Sequence, residues 1–285
     1  MPTKLRIAAC QILTSSEPDE SADKVIAWME RAAAEAVEVL AFPEACLCGY
    51  ASDPTYWEHV RPELFLSAEA RVAEAAGRLG LGVVLGTVHW QGDRRYNSLL
   101  AIDREGQVRG RYAKSHLAES WSTPGDRLPV YELAGVPSCF IVCHDIRYPE
   151  LVRLPAIAGA RICYFCSCES GLLAEHKVSA YRCMPVARAA ENDIYLVMAN
   201  SPADAQRIDS PSQSHGNSKI IDPDGNVLSE AGHFEERLVV ATIDVDAARR
   251  RWPERAVEDQ TILRDWLCDG AALVEGRARP LGKRA

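Results

Sequence analysis

The chain of 285 residues reads as an α/β protein with sheets inside, helices outside and two similar halves. Two observations predict this. Apolar strand-like runs alternate with segments whose apolar residues recur at helical spacing. Two stretches also rhyme: "LAIDREGQVRGRY" (100–112) and "KIIDPDGNVLSEA" (219–231) both carry Ile-Asp-x-x-Gly-x-Val, with a Gly-containing turn between two strands. Such hairpins are common, but a matched pair fits two halves that each contribute a sheet. No Gly/Ser/Pro-rich linker parts the halves, so residues 1–285 are expected to form one domain, with 250–285 as a C-terminal extension.

The elements follow from local pattern. "LRIAACQIL" (5–13) is a buried strand by its apolar density, and 21–38 is a helix, with Val25, Ile26, Met29, Ala32 and Ala33 at helical spacing. "VLAFPE" (39–44) is the next strand. A helix over 67–79 puts Val72, Ala75, Ala76 and Leu79 on one face, with Ser67 as its cap and Glu69 in its first turn. Strands are expected at 82–90, 97–103, 107–114 and 160–167, then a helix near 172–191 and a strand at 193–200. The hairpin at 218–232 and a strand at 237–245 complete the pattern. The polar, Arg-rich last 30 or so residues are expected either to pack on a partner subunit or to stay mobile.

Composition narrows the function. With 47% hydrophobic and 25% charged residues the chain is ordinary globular, which argues against disorder. A net charge of −8 argues against nucleic acid or an anionic membrane as main partner. The start "MPTKLRIAACQIL" lacks a signal peptide's apolar core and cleavage site, and no run is long enough to span a membrane. The chain is expected in the cytoplasm, where its ten cysteines stay reduced. The cluster Cys163, Cys166 and Cys168 invites a metal reading. Strand alternation turns Cys163 away from the other two, however, and no second paired set exists, so no metal site is expected.

The segment "FIVCHDIRYPE" (140–150) ends an apolar strand on Cys143, ahead of a helix that opens at Pro149 and Glu150 and that Pro155 kinks or shortens. A strand-to-helix turn lifts a residue to the sheet edge, and helix N-terminal amides there favour a thiolate. Cys143 is either a nucleophile or an inert buried thiol on this evidence. A nucleophile needs a base and an oxyanion stabiliser from elsewhere, because the neighbouring His144 points away if strand geometry persists. Glu44 and Lys114 also stand just past strands, with Glu119 shortly after, and ligands meet α/β sheets at such strand ends. Singly, each of these reads better as a solvated surface charge.

With "FPEACLCGY", "YNSLLAID", "YAKSHL", "TPGD", "VCHDIRYPEL", "ARAAEN" and "SHGNSKIIDPDGNVL" in this order, the sequence resembles the nitrilase superfamily of carbon–nitrogen hydrolases over about residues 4–245. The resemblance implies a four-layer α-β-β-α sandwich of two pseudo-symmetric halves, assembled as a homodimer or larger oligomer. It implies Cys143 as nucleophile, Glu44 as general base, and Lys114 at the oxyanion, helped by the backbone N–H of the substrate-binding residue His144. Glu119 matches the second glutamate, although "HLAESWSTPGD" is about one residue shorter than the usual pattern. The implied reaction takes a small-molecule amide to carboxylate and ammonia through a Cys143 thioester, with no metal or organic cofactor. A carbamoyl compound, a nitrile or acyl transfer are the alternatives, and a non-catalytic thiol or metal-binding protein is a remote one. His116 and His215 read as structural hydrogen-bonding groups. Glu169, in "SCESGLLAEHK" bordering the pocket, would either attract a cationic substrate or be solvated, and the usual exposure of glutamate favours solvation.

Overall fold

The computed structural model describes residues 3–51, 53, 55–169, 175–207, 214–259 and 261–276. Strand β1 (Lys4–Gln11) leads into α1 (Pro18–Ala34), β2 (Val39–Ala41), the single turn α2 (Tyr56–His59) and α3 (Pro62–Leu79). Strands β3 (Gly82–Gln91), β4 (Arg94–Ile102) and β5 (Val108–Ala113) follow, then the short β6 (Leu128–Pro129) and β7 (Tyr131–Leu133). The second half runs β8 (Val136–Val142), α4 (Glu150–Ile157), β9 (Ile162–Ser167), α5 (Glu175–Ala190) and β10 (Tyr195–Asn200). It continues through β11 (Lys219–Ile221), β12 (Val227–Glu230) and β13 (Arg237–Asp244), and the chain closes with α6 (Arg251–Glu258), α7 (Arg264–Ala272) and β14 (Val274–Glu275).

Two six-stranded sheets have orders β13-β1-β2-β3-β4-β5 and β12-β11-β10-β9-β8-β7. Each holds a parallel triplet, β1-β2-β3 in one and β8-β9-β10 in the other. Each triplet is extended by an antiparallel hairpin, β4-β5 or β11-β12, and closed on its other side by an antiparallel strand, β13 or β7. The rhyming stretches are those two hairpins. In one, Asp103 Oδ1 accepts from the amides of Glu105 and Gln107 at 3.1 and 2.8 Å; in the other, Asp222 Oδ1 accepts from Asp224 and Asn226 at 3.0 and 2.8 Å.

Side-chain alternation builds the layers. Leu5, Ile7 and Ala9 of β1 meet Phe140 and Val142 of β8 and Ile162, Tyr164 and Cys166 of β9 between the sheets. Ala8 and Cys10 turn outward to α1 and α3, while Cys139, Cys163 and Phe165 turn outward to α4 and α5. Strands buried on both faces must be apolar throughout, which is why they read as continuous runs. Each fully buried Leu, Ile or Phe contributes about 1.5–3 kcal/mol. The layers are α-β-β-α, and Cys163 and Cys166 lie on opposite faces of β9, as alternation requires.

Several boundaries differ from expectation. Helix α3 begins at Pro62, whose fixed φ suits the first helical position, so Ser67 lies inside the helix and caps nothing. Glu69 is not an exposed first-turn acid: it is buried, accepts from Thr87 Oγ1 at 2.7 Å and pairs with Arg111. Pro155 sits within α4, which stops at Ile157 after eight residues. The first residues of the helix expected near 172–191, 172–174, lie outside the described residues, as do residues 277–285 of the tail. The described part of the extension rests on its own chain, with Leu267 and Ala271 of α7 packed on Ile157 and Leu154 of α4, and β14 paired with β6. Among the described residues no helix is long and apolar enough to cross a membrane.

Candidate active site

The site lies where strands of both sheets end. After β2, Phe42 N–H still reaches Val84 O at 2.8 Å, and the chain then turns sharply, with Ala45 at φ +48°. Gly86 of β3 permits this turn, since a Cβ there would stand 1.9 Å from Pro43 O and 2.8 Å from Ala45 N. Glu44 is thereby delivered into the interior with no exposure. Its Oε1 accepts from Lys114 Nζ and from Asn97 Nδ2, each at 2.8 Å, and its Oε2 accepts from Cys168 N–H at 2.9 Å.

Lys114 follows β5. Its backbone N–H donates to Asn97 O and its carbonyl accepts from Gly125 N–H, both at 2.8 Å, so the "TPGD" turn clasps the lysine's main chain. Its ammonium, also unexposed, reaches Glu119 Oε2 at 2.7 Å. Asn97 Nδ2 donates to Glu119 Oε1 at 2.8 Å as well, so one ammonium and one amide join the two carboxylates. Burial raises the Glu44 pKa against the opposing charge of Lys114, with Glu119 adding to the rise. For Lys114, burial disfavours the charge, but Glu44, Cys143 and Glu119 more than reverse this and raise its pKa.

Cys143 sits at φ +46°, in the left-handed region that side chains rarely occupy, at the first residue past β8. Asp145 secures this turn. Its Oδ2 accepts from Val142 N–H at 3.0 Å and Tyr112 Oη at 2.8 Å, and its Oδ1 accepts from His116 N–H at 2.8 Å, tying the cysteine's turn to the Lys114 segment. The thiol donates to Glu169 Oε2 at 3.1 Å, with Tyr181 Oη 3.9 Å away. The expected thiolate is not the resting form. Burial first, then the charges of Glu44 and Glu169, push the thiol pKa well up, and Lys114 only partly offsets them.

The histidines serve elsewhere. His144 lies half-buried with its ring edge-on to Tyr148 at 5.9 Å, while the sulfur's side-chain partners are Glu169 and Tyr181. Burial, helped by Arg147 and Lys114, lowers its pKa. His116 stacks on Tyr148 at 3.4 Å, and His215 is buried, its pKa pushed down to about 4 by that burial.

Glu44, Lys114 and Glu119 therefore lie together, with Cys143 under the electrostatic influence of the first two. Two further residues escaped sequence reasoning: Asn97 and Asp145 stood in plain view as polar residues at the ends of apolar runs. Glu169, for which solvation was favoured over a role toward a cationic substrate, is only 6% exposed and touches the sulfur. A buried thiol, an ammonium and carboxylates near one another are groups that can act as a nucleophile, an oxyanion partner and proton carriers.

The model of the carbon–nitrogen hydrolase family matches residues 6–251. The chain belongs to that family. This carbon–nitrogen hydrolase is 30% identical over 239 residues to the 2-oxoglutaramate amidase of Bacillus subtilis (strain 168), covering 82% of this chain and 88% of the relative. It is 32% identical over 219 residues to an (R)-stereoselective amidase of Pseudomonas sp., covering 75% and 76%. Among solved structures, the carbon–nitrogen hydrolase of Helicobacter pylori G27 shares the fold, with a TM-score of 0.80 at 19% identity over 91% of this chain and 96% of that one. The amidase of Nesterenkonia sp. AN1 is 26% identical, with a TM-score of 0.76 over 89% of this chain and 99% of that one; a variant of it carries acrylamide added at its active-site cysteine. The hydrolase described here is thus a member of the nitrilase superfamily among amidase-named relatives.

Proposed function

We propose that this hydrolase converts a small-molecule amide to carboxylate and ammonia through a thioester on Cys143. Glu44 takes the thiol proton as sulfur attacks the carbonyl carbon. The developing oxyanion is held by the Lys114 ammonium with the His144 backbone N–H. The intermediate collapses as Glu44 returns the proton to the departing nitrogen, and the same carboxylate then deprotonates water to release the acid. Glu119 keeps Lys114 charged and aimed. The observation that carries this reading is the closed network of Glu44, Lys114, Glu119 and Asn97 beside a cysteine in a strained turn. General acid–base action contributes roughly 10²–10⁴ in rate, and an oxyanion donor roughly 10²–10³.

The test is ammonia release from amides by the wild type and by Cys143→Ala. Turnover should vanish in the variant while its thermal melting stays intact. A Cys143→Ala protein with normal turnover would refute the assignment.

The reading extends to a single domain over 1–285, with 250–285 as an extension, in a cytoplasmic homo-oligomer that binds neither nucleic acid nor membranes. Ten free thiols suit a reducing compartment. Exposed Trp252, Ile262, Leu263, Trp266 and Leu273 on and around α6 and α7 suit a subunit contact. Two separable unfolding transitions would overturn the single domain, and recovery in a membrane pellet the location.

A further inference from the structure

Glu169 is a carboxylate without an assigned task. It stands past the end of β9, the counterpart in the second sheet of β2, whose exit carries Glu44. Its backbone N–H donates to Asn200 Oδ1 at 3.1 Å, which fixes it in place. Its Oε2 is the acceptor for the Cys143 thiol at 3.1 Å, and Lys177 Nζ approaches Oε1 only to 3.8 Å, within ion-pairing range but beyond a hydrogen bond. A side chain 6% exposed has little water to turn to.

Thioester chemistry breaks this arrangement. When sulfur bonds to the acyl carbon it loses its hydrogen, and Oε2 loses the thiol as a donor, with the Tyr181 hydroxyl the side-chain donor that stays beside Glu169. A buried carboxylate that loses one of its few donors is costly, and more so for a charged group than a neutral one. The substrate can supply the replacement. In the mechanism above, the amide oxygen faces Lys114 and its nitrogen faces Glu44, which leaves the acyl chain to meet Glu169 and Tyr181. With Oε2 so close to sulfur, only a donor on the first atom beyond the carbonyl carbon is well placed, and an ammonium there forms a charge-assisted hydrogen bond.

We propose that Glu169 receives an ammonium on the carbon next to the substrate carbonyl, so that the preferred substrates are α-amino amides; this rests on the amide hydrolysis proposed above. The test compares kcat/KM near pH 7 for 2-aminopropanamide, 2-hydroxypropanamide and 2-methylpropanamide, which present ammonium, hydroxyl and methyl in nearly the same volume. The wild type should favour the ammonium over the methyl compound by roughly tenfold or more, since a site built for a polar group rejects an analogue lacking it, with the hydroxyl compound between. In Glu169→Gln, which keeps size and loses charge, that ratio should collapse towards one. The ranking in the wild type alone carries the test if the variant does not fold. Ammonia from 2-methylpropanamide with no ammonium preference, or an unchanged ratio in Glu169→Gln, overturns the inference and leaves amide hydrolysis standing. Ammonia from none of the three overturns both.

Discussion

Replacing Lys114 with methionine keeps most of the side-chain volume and removes the charge. Lys114 Nζ sits 2.8 Å from Glu44 and 2.7 Å from Glu119, and the three side chains are 0%, 0% and 3% exposed. Without the ammonium, two buried carboxylates face each other with Asn97 as their shared donor. Breaking a buried pair by removing one partner costs about 3–5 kcal/mol, most of it from the stranded charge. The stranded carboxylates can escape by taking protons, so the loss depends on pH. Burial already raises the folded-state pKa of Glu44, and Lys114 is what restrains it. A group raised in the folded state adds stability that is fully present below its unfolded pKa, near ~4.3, and is lost as pH rises through the folded value. Removing Lys114 moves that folded value further up. Lys114 itself is raised, so its own contribution is fully present between pH 5 and 8. Urea unfolding should therefore show a small loss for Lys114→Met near pH 5, growing to about 3–5 kcal/mol by pH 8 with an unchanged m-value. Turnover should fall by roughly 100-fold or more, since the oxyanion loses its cation. An equal loss at both pH values, or none, would refute the reasoning.

Glu119→Gln retains a hydrogen bond to Lys114 but drops a charge worth about 1.5–3 kcal/mol, so the melting temperature should fall by several degrees and kcat at least roughly tenfold in the still-folded enzyme; unchanged kcat would place Glu119 outside the machinery. Gly86→Ala puts a methyl 1.9 Å from a backbone oxygen and must shift the Pro43–Ala45 turn. It should cost about 1–3 kcal/mol in denaturant unfolding and lower kcat with it, and unimpaired kcat would show that Glu44 does not depend on that turn. Trp266→Asp with Ile262→Asp, at positions 54% and 98% exposed, should reduce the solution mass measured by light scattering. A monomeric wild type would end the subunit-contact proposal.

The legible part of the molecule is the part whose physics is local. The parallel triplets read as unbroken apolar runs because both faces are covered, and Glu44 and Cys143 stood out because each follows such a run, whereas Lys114 follows the mixed, partly exposed strand β5. The paired hairpins were visible in their Asp and Gly positions. What stayed hidden depends on segments far apart in the chain. Ser67 looks like a cap until Pro62 is seen to start the helix earlier. Glu169 looks solvated until the exit of β9 is folded against Cys143. The thiolate expected from a helix N-terminus gives way to a thiol because burial between the layers, and then the charges of Glu44 and Glu169 arriving from other strands, raise its pKa. The strands β6, β7 and β14 are too short to leave a periodic trace, and α6 and α7 bury too few apolar residues, Pro253 in one and Leu267 and Ala271 in the other, to leave a helical stripe.

Glu44, Asn97 and Lys114 belong to one sheet and Cys143 and Glu169 to the other, with polar bridges between them at Glu44 N–H to Ser167 O, Cys168 N–H to Glu44 Oε2, and Asp145 to Tyr112 and His116. The spacing between the Cys143 sulfur and the Glu44 carboxylate is therefore a property of how two slabs stack. Residues such as Val84, Phe140 and Ile162, buried between the sheets, act as the shims that hold the slabs at working separation. In such an architecture the greasy filling is part of the reaction coordinate's geometry, and rigidity in the middle of the sandwich becomes accuracy at its rim.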